Sequence, residues 1–484
     1  MATLRSIPAL NPRRQEALLF GIVATEILVL CIPGLWWGYI ALAVLSAAAV
    51  AGVILSVLRN RATGVVLGWA LLFPLGYYCT SFPREQPVVT LDRAFIIVLL
   101  VAACLAGRRG VTEIGRDLRG TALWWAVFVF FAALTLPRIK LPMSGIRVLV
   151  EGFIFPAVLA WYVIRYIRIR EHLESLHLLT CIMACYIAGV GAAEVVLQRD
   201  LMALPSSAVL LAGGDQQSDF LVRPNGPFSS TNSFALIGLV TFLFLLFLRK
   251  AIGDSMPGWQ RMVHRVGVAG ALLATILPLF RSVFTSLLVI LIFDVFYQRG
   301  VRRVIRLGVI FSFLLVALLI RIALPSVFEE RSDTANIYGR IAEQKQVLNM
   351  FLDNPLNGVG FTNFPEAASS SKYTAYYRGV QSVDNEHNNL SAILAETGLA
   401  GFLPYLVSQI LLFGVFWRLR KNGASAALAW RYFLFVFLGY WVNGMSLTSG
   451  YYSDLNLWYM FVLAVLYKFA KTGPIRPEPA LIAA

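Results

Sequence analysis

Long apolar runs separated by short polar connections fill most of this 484-residue chain. A helix needs roughly 20 apolar residues to cross the hydrocarbon core of a bilayer. Measured by that length, the sequence holds fourteen candidate spans, at about 17–33, 36–58, 64–82, 92–107, 121–136, 148–167, 176–197, 232–248, 266–280, 283–298, 305–323, 399–417, 428–446 and 453–470. Several connections are short enough that neighbouring runs could merge, so the count is about 12 to 14. The pattern predicts an all-α polytopic membrane protein, one integral membrane domain over 1–484, with two long polar connections at 198–231 and 324–398.

The second long connection has a pattern of its own. In NIYGRIAEQKQVLNMFLDNP, Ile337, Ile341, Leu348 and Phe351 share one helical face, while Arg340, Glu343 and Asn349 lie elsewhere. This predicts an amphipathic helix lying along a membrane surface, ended by the turn-forming Asn354, Pro355, Gly358 and Gly360. The connection closes on VDNEHNNLSAILAETG, Val383 to Gly398, where two acids, a histidine and three asparagines precede an apolar run. A helix starting near Glu386 would place His387, Ser391 and Leu394 on one face, with Ser382 or Asp384 as its cap. Gly398 and Gly401 would allow a break before the span proper.

Composition agrees with the membrane assignment: 58% of residues are hydrophobic, 14% are charged, and the mean hydropathy is +0.72. The N-terminal stretch carries positive charge ahead of an apolar run without a small-residue cleavage site, and reads as a retained first span. A net charge of +15 raises the question of nucleic acid, and the distribution of the charge answers it. RNR, RRGVTEIGRDLR, RYIRIR, RGVRRVIR and WRLRK all fall on one side of the alternating spans. That side holds 27 of the 41 Lys and Arg and the other side the remaining 14. The bias is the positive-inside pattern, which puts both termini in the cytoplasm and both long loops outside, and excludes nucleic acid as a partner. The five cysteines lie in or near apolar segments and imply neither a disulfide framework nor a metal ligand set.

This topology sorts the groups able to do chemistry. His172, His177 and His264 fall in basic cytoplasmic connections, where solvated loop histidines are expected. His387 alone lies outside, with Asp384, Glu386 and Asn388 beside it. Read from spacing alone, the cluster is a capped helix entry, and a general base is the alternative. Arg147, Arg223, Arg281 and Arg340 stand at the same outer level. Each by itself can snorkel to the interface, whereas several together suit an anionic ligand such as a phosphate or diphosphate. Glu151, four residues after Arg147, is placed to pair with it. Asp384 and Glu386 form an acidic D-x-E that would suit a divalent ion, although neighbouring loop carboxylates are ordinarily solvated. No nucleotide-binding, HExxH or GxSxG motif stands in a suitable context.

GRIAEQKQVLNMFLDNPLNGVGFTNF, EHNNLSAILAETGLAGFLPYL, RPNGPFSSTNSFA and LFRSVFTSLLVI occur in an order that resembles the bacterial O-antigen ligase and O-antigen polymerase superfamily, over roughly residues 145–420. The resemblance implies a GT-C-like helical fold in the bacterial inner membrane and an undecaprenyl diphosphate-linked glycan as donor. Its acceptor would be a glycan or lipid A core, with no cofactor or metal required. It further implies that His387 acts at the acceptor hydroxyl and that Arg223, Arg281 and Arg340, with Arg147 a weaker match, hold the donor diphosphate. Asp384, Glu386, Asn388 and Glu151 would be supporting residues. Ligase and polymerase need the same donor site and are not separated by these residues. A glycolipid transporter built on the intramembrane acids Glu26, Glu151 and Asp294 is the alternative from another class.

Overall fold

A computed structural model describes residues 62–75, 90–106, 115–198, 201, 223–253, 256–323, 334–382 and 387–472. The predicted spans 17–33 and 36–58, most of the first long loop, and the candidates Asp384 and Glu386 lie outside the described residues. The chain divides into two units, Met1–Phe73 and Pro74–Ala484. Of the first, the described part is helix α1, Ala62–Leu72.

The second unit is helical almost throughout. Its helices are α2 (Leu91–Ala106), α3 (Arg119–Thr135), α4 (Pro142–Leu149), α5 (Phe155–Tyr166), α6 (Leu173–Leu197), α7 (Thr231–Ile252), α8 (Gly258–Ile276), α9 (Arg281–Tyr297), α10 (Val301–Ala323), α11 (Thr334–Asp353), α12 (Phe364–Ala368), α13 (Asn389–Leu419), α14 (Ala424–Gly444) and α15 (Ser453–Lys471). A two-stranded ribbon, β1 (Tyr376–Tyr377) against β2 (Val380–Gln381), is the one sheet among the described residues. Six helical stretches there are long and apolar enough to cross a membrane: Arg116–Arg138, Pro142–Tyr166, Ile169–Leu197, Thr231–Ile252, Asn389–Leu419 and Ala424–Gly444. The protein is an all-α polytopic membrane protein.

Helix α7 is its packing centre. Phe234, Leu236, Ile237, Leu239, Leu245 and Phe247 are fully buried, and α6, α8, α14 and α15 surround it. Peripheral helices show the reverse pattern, with Leu123 and Phe130 of α3 and Phe311 of α10 exposed. That is the surface a hydrocarbon solvent accepts, because lipid tails impose no penalty on exposed apolar groups. Around Glu151 the helical hydrogen bonding widens to a π-turn over Val150–Ile154, joining α4 to α5. Such π-bulges interrupt helices at special positions.

Two connections position candidate site residues. Between α8 and α9 the connection is four residues long, with Leu279 at φ 50, a left-handed conformation that a leucine seldom adopts. Arg281 therefore becomes the first residue of α9, ahead of its apolar run. Before α7, Ser230 caps the helix by accepting from the Ser233 N–H at 3.0 Å. The segment leading into that cap is fastened by two buried acids. Glu194 accepts from the Gly226 N–H at 2.7 Å and the Leu201 N–H at 3.2 Å. Asp454 accepts from the Ser229 N–H at 2.7 Å and from the hydroxyls of Ser229 and Ser233 at 2.9 and 3.2 Å.

Candidate active site

The predicted amphipathic helix is present as α11, and its apolar stripe faces outward: Ile337, Leu348 and Leu352 are each more than half exposed. What faces inward is Ala342, Glu343, Gln346, Val347 and Met350, so a carboxylate and a carboxamide lie buried against the protein. Gln346 Nε2 donates to the Ala368 carbonyl at 3.0 Å, holding α12. Glu343 is 0% exposed and holds His387 twice. It accepts from the His387 backbone N–H at 2.7 Å and from the imidazole Nδ1 at 3.1 Å. Burying a carboxylate is costly unless its lone pairs are used, and these charge-assisted bonds use them.

The pairing fixes the chemistry of the imidazole. A carboxylate has no proton to give, so Nδ1 is the donor and the neutral ring carries its lone pair on Nε2. The His387 side chain is 26% exposed, so it is partly open to the surface of the protein. His387 itself stands just ahead of the helix, where a start near Glu386 was expected. The cap is Asn388, whose side chain accepts from the Leu390 and Ser391 N–H groups at 2.9 and 3.2 Å. Ser382, one of the two expected caps, instead exchanges bonds with Ala375.

Helix α13 breaks where the glycines predict. Gly398 has φ 59 and ψ −162, and the segment after α11 docks into the break. The Val359 and Gly360 N–H groups donate to the Ala395 and Glu396 carbonyls at 2.9 Å each. In return, the Leu399 and Ala400 N–H groups donate to Pro355 and Leu356 at 2.8 and 3.0 Å. Backbone groups freed by a helix break must find partners when buried, and here a loop supplies all four. The approach leaves no room for side chains: a Cβ on Gly398 would lie 2.4 Å from the Leu356 carbonyl carbon, and one on Gly358 2.3 Å from that of Glu396. The Glu396 carboxylate, also fully buried, accepts from the Phe364 N–H at 3.1 Å and the Tyr451 hydroxyl at 2.6 Å. The clasp thus fixes α11, and with it Glu343, against α13.

Two of the candidate arginines, Arg223 and Arg340, act electrostatically on a third, Arg281. Arg281 remains exposed at the start of α9, yet crowding by protein atoms and then the like charges of Arg223 and Arg340 lower its pKa. Arg223 Nε is buried with no hydrogen-bond partner among the described residues, and the guanidinium lies 5.9 Å from the Phe280 ring centroid. Arg340 stands one turn before Glu343 on α11. Arg223 and Arg340 therefore stand near enough to Arg281 for their charges to act on it. Arg147 is held differently: its Nε donates to Glu151 at 3.2 Å, and Arg93 pairs with the same carboxylate.

Residues 228–406 match the family model described as O-antigen ligase. This segment belongs to the O-antigen ligase/polymerase superfamily. No curated protein matches the chain. The O-antigen ligase segment contains Arg281, Arg340, Glu343, His387 and the clasped break, while Arg223, Arg147 and Glu151 precede it.

Outside the candidate site, the remaining described acids acquire structural partners. Asp294 pairs with Arg431 and with Arg306 at 3.1 Å, and Glu194 anchors the loop after Arg223. Two histidines expected in solvated loops are not there. His177 is 1% exposed within α6, with its Nε2 3.1 Å from His264 Nδ1 on α8.

Proposed function

We propose that the protein is a membrane glycosyltransferase that moves a glycan from an undecaprenyl diphosphate-linked donor to an acceptor hydroxyl on the periplasmic face of the bacterial inner membrane. His387 Nε2 takes the proton of the acceptor hydroxyl as its oxygen bonds to the anomeric carbon of the donor sugar. The bond from that carbon to the diphosphate oxygen breaks, and the lipid diphosphate departs with the electron pair. Arg223, Arg281 and Arg340 bind the donor diphosphate and offset the charge that grows on it, which is the electrostatic contribution that usually dominates such steps. Histidine suits a general base near neutral pH.

The observation that carries this reading is the buried Glu343 on His387 Nδ1, which leaves Nε2 as the basic nitrogen, within a segment that matches the O-antigen ligase family model. Transfer to lipid A core makes the protein a ligase. Extension of the lipid-linked chain makes it a polymerase. A transporter is less favoured, because its acids Glu151 and Asp294 are engaged in ion pairs. The decisive assay is glycan transfer in proteoliposomes by His387→Ala. We expect folded, inserted protein without transfer, and full activity would refute the catalytic role. Deletion in the native host followed by glycan profiling separates the two enzymes: long chains stalled on the carrier indicate a ligase, single repeat units a polymerase.

A further inference from the structure

Helices α6 and α8 carry a cluster that glycan transfer does not use. His177 and Cys181 are one turn apart on α6, His264 stands opposite on α8, and one potential ligand atom from each lies within 4.8 Å of the others. His177 Nε2 is 3.1 Å from His264 Nδ1 and 3.7 Å from Cys181 Sγ. Tetrahedral zinc, with Zn–N of about 2.05 Å and Zn–S of about 2.3 Å, separates its ligand atoms by about 3.3 Å for two nitrogens and about 3.6 Å for nitrogen and sulfur. Two of the three donor pairs stand near this spacing, and the third, His264 with Cys181, lies within 4.8 Å.

The backbone is adapted to this approach. A Cβ on Gly267, one turn after His264, would lie 2.8 Å from both Cβ and Sγ of Cys181, and one on Gly270 would lie 3.0 Å from the Ala184 carbonyl oxygen. Small residues on both helices therefore let the ligand-bearing faces meet. His177 and Cys181 are buried, whereas His264 is half-buried, so one ligand borders the outside of the pair. The mutual hydrogen bond accounts for two imidazoles in an apolar setting but gives no reason for the thiol to converge on the same point.

We propose that His177, Cys181 and His264 form a zinc site that clips α6 to α8, at the helix ends that the charge pattern places on the cytoplasmic side. Two imidazoles and a thiolate are borderline-to-soft donors that select zinc over magnesium or calcium. On binding, the Cys181 thiol loses its proton to solvent and its sulfur bonds to the ion. The two imidazole nitrogens and the thiolate displace waters of the aqueous ion, and all but one of its waters leave as the site becomes four-coordinate. No electron is transferred. The thiolate cancels one of the two positive charges, which lowers the cost of holding the ion among apolar helices.

The test uses the full-length protein in nanodiscs, stripped with a chelator and then titrated separately with Zn²⁺ and Co²⁺. We expect about one equivalent of zinc to bind and to raise the unfolding temperature. Cobalt should give tetrahedral d–d absorption with a thiolate-to-cobalt charge-transfer band that Cys181→Ser abolishes. Cys181→Ser and His264→Ala should each weaken zinc binding by more than the roughly 10–100-fold that loss of an outer-shell partner costs. His264→Ala removes a half-buried side chain and covers the case in which the cysteine variant does not fold. Failure of the folded wild type to bind zinc, survival of the charge-transfer band in Cys181→Ser, or preference for copper(I) over zinc in competition would each overturn the assignment. None of these measurements depends on glycan transfer, so the zinc site and the reading of His387 succeed or fail separately.

Discussion

Glu343→Gln tests the central arrangement with little change of shape. In the wild type one carboxylate oxygen accepts the His387 backbone N–H at 2.7 Å and the other faces Nδ1 at 3.1 Å. In the variant, the amide oxygen keeps the backbone bond and the NH₂ group faces Nδ1. Nδ1 must then accept, so the ring proton moves to Nε2 and the base points its lone pair away from the acceptor. General-base assistance is worth about 10²–10⁴-fold, and an Asp→Asn change behind an oriented catalytic histidine costs about 10⁴-fold. We therefore expect transfer to fall about 10²–10⁴-fold with donor KM little changed. Exchanging a charge-assisted bond for a neutral one costs at most about 1.5–3 kcal/mol of stability. The assay is single-turnover glycan transfer in proteoliposomes alongside thermal unfolding, with His387→Ala and the double variant for comparison. Groups that act as a unit are non-additive, so the double variant should be no slower than His387→Ala. A Glu343→Gln enzyme within about threefold of wild type would refute the orienting role, as would a double variant whose two losses multiply.

Arg281→Ala should raise the donor KM and lower turnover together, with Arg281→Lys intermediate because an ammonium lacks the bidentate fork. Unchanged donor kinetics would mean that Arg281 only snorkels. Gly398→Ala should lower the unfolding temperature, since the strained φ alone costs about 1–3 kcal/mol and the new Cβ meets the backbone of Leu356; an undiminished midpoint would show that the clasp does not hold the break. Glu151→Gln takes the counter-charge from Arg93 and Arg147, so a loss of about 3–5 kcal/mol is expected. Intact thermal stability in that variant would reject the ion-pair role.

The membrane helices were legible because the length of an apolar run is a local property that needs no tertiary information. The same holds for α11 and for the break at Gly398. The inward face of α11 was harder to see. Its apolar stripe through Ile337 and Leu348 marks the exposed side, while Ala342, Glu343, Gln346, Val347 and Met350 mark the buried one, and a rule that sends charges outward assigns Glu343 to solvent. The i, i+4 and i+7 recurrence of Glu343, Val347 and Met350 was the available signal. Asn388 as the cap was equally readable, as an asparagine just ahead of an apolar run, but the competing caps Ser382 and Asp384 lay further upstream. The clasp left almost no trace in the sequence because its bonds are between backbones; only Gly358 and Gly398 record it. His177 and His264 were misplaced because nearby basic residues marked their surroundings as solvated, whereas the glycines of α8 draw the two helices into contact around them.

The loop–helix clasp also determines what can be exchanged between related chains. Residues 355–360 and 395–400 complete each other's hydrogen bonds, although some 40 residues of sequence separate them. A chimera whose loop and helix break do not dock in the same register would leave the four backbone groups at the break, and their counterparts, without partners. Recombination between such proteins, in the laboratory or in evolution, should therefore succeed when both crossover points fall outside 354–401.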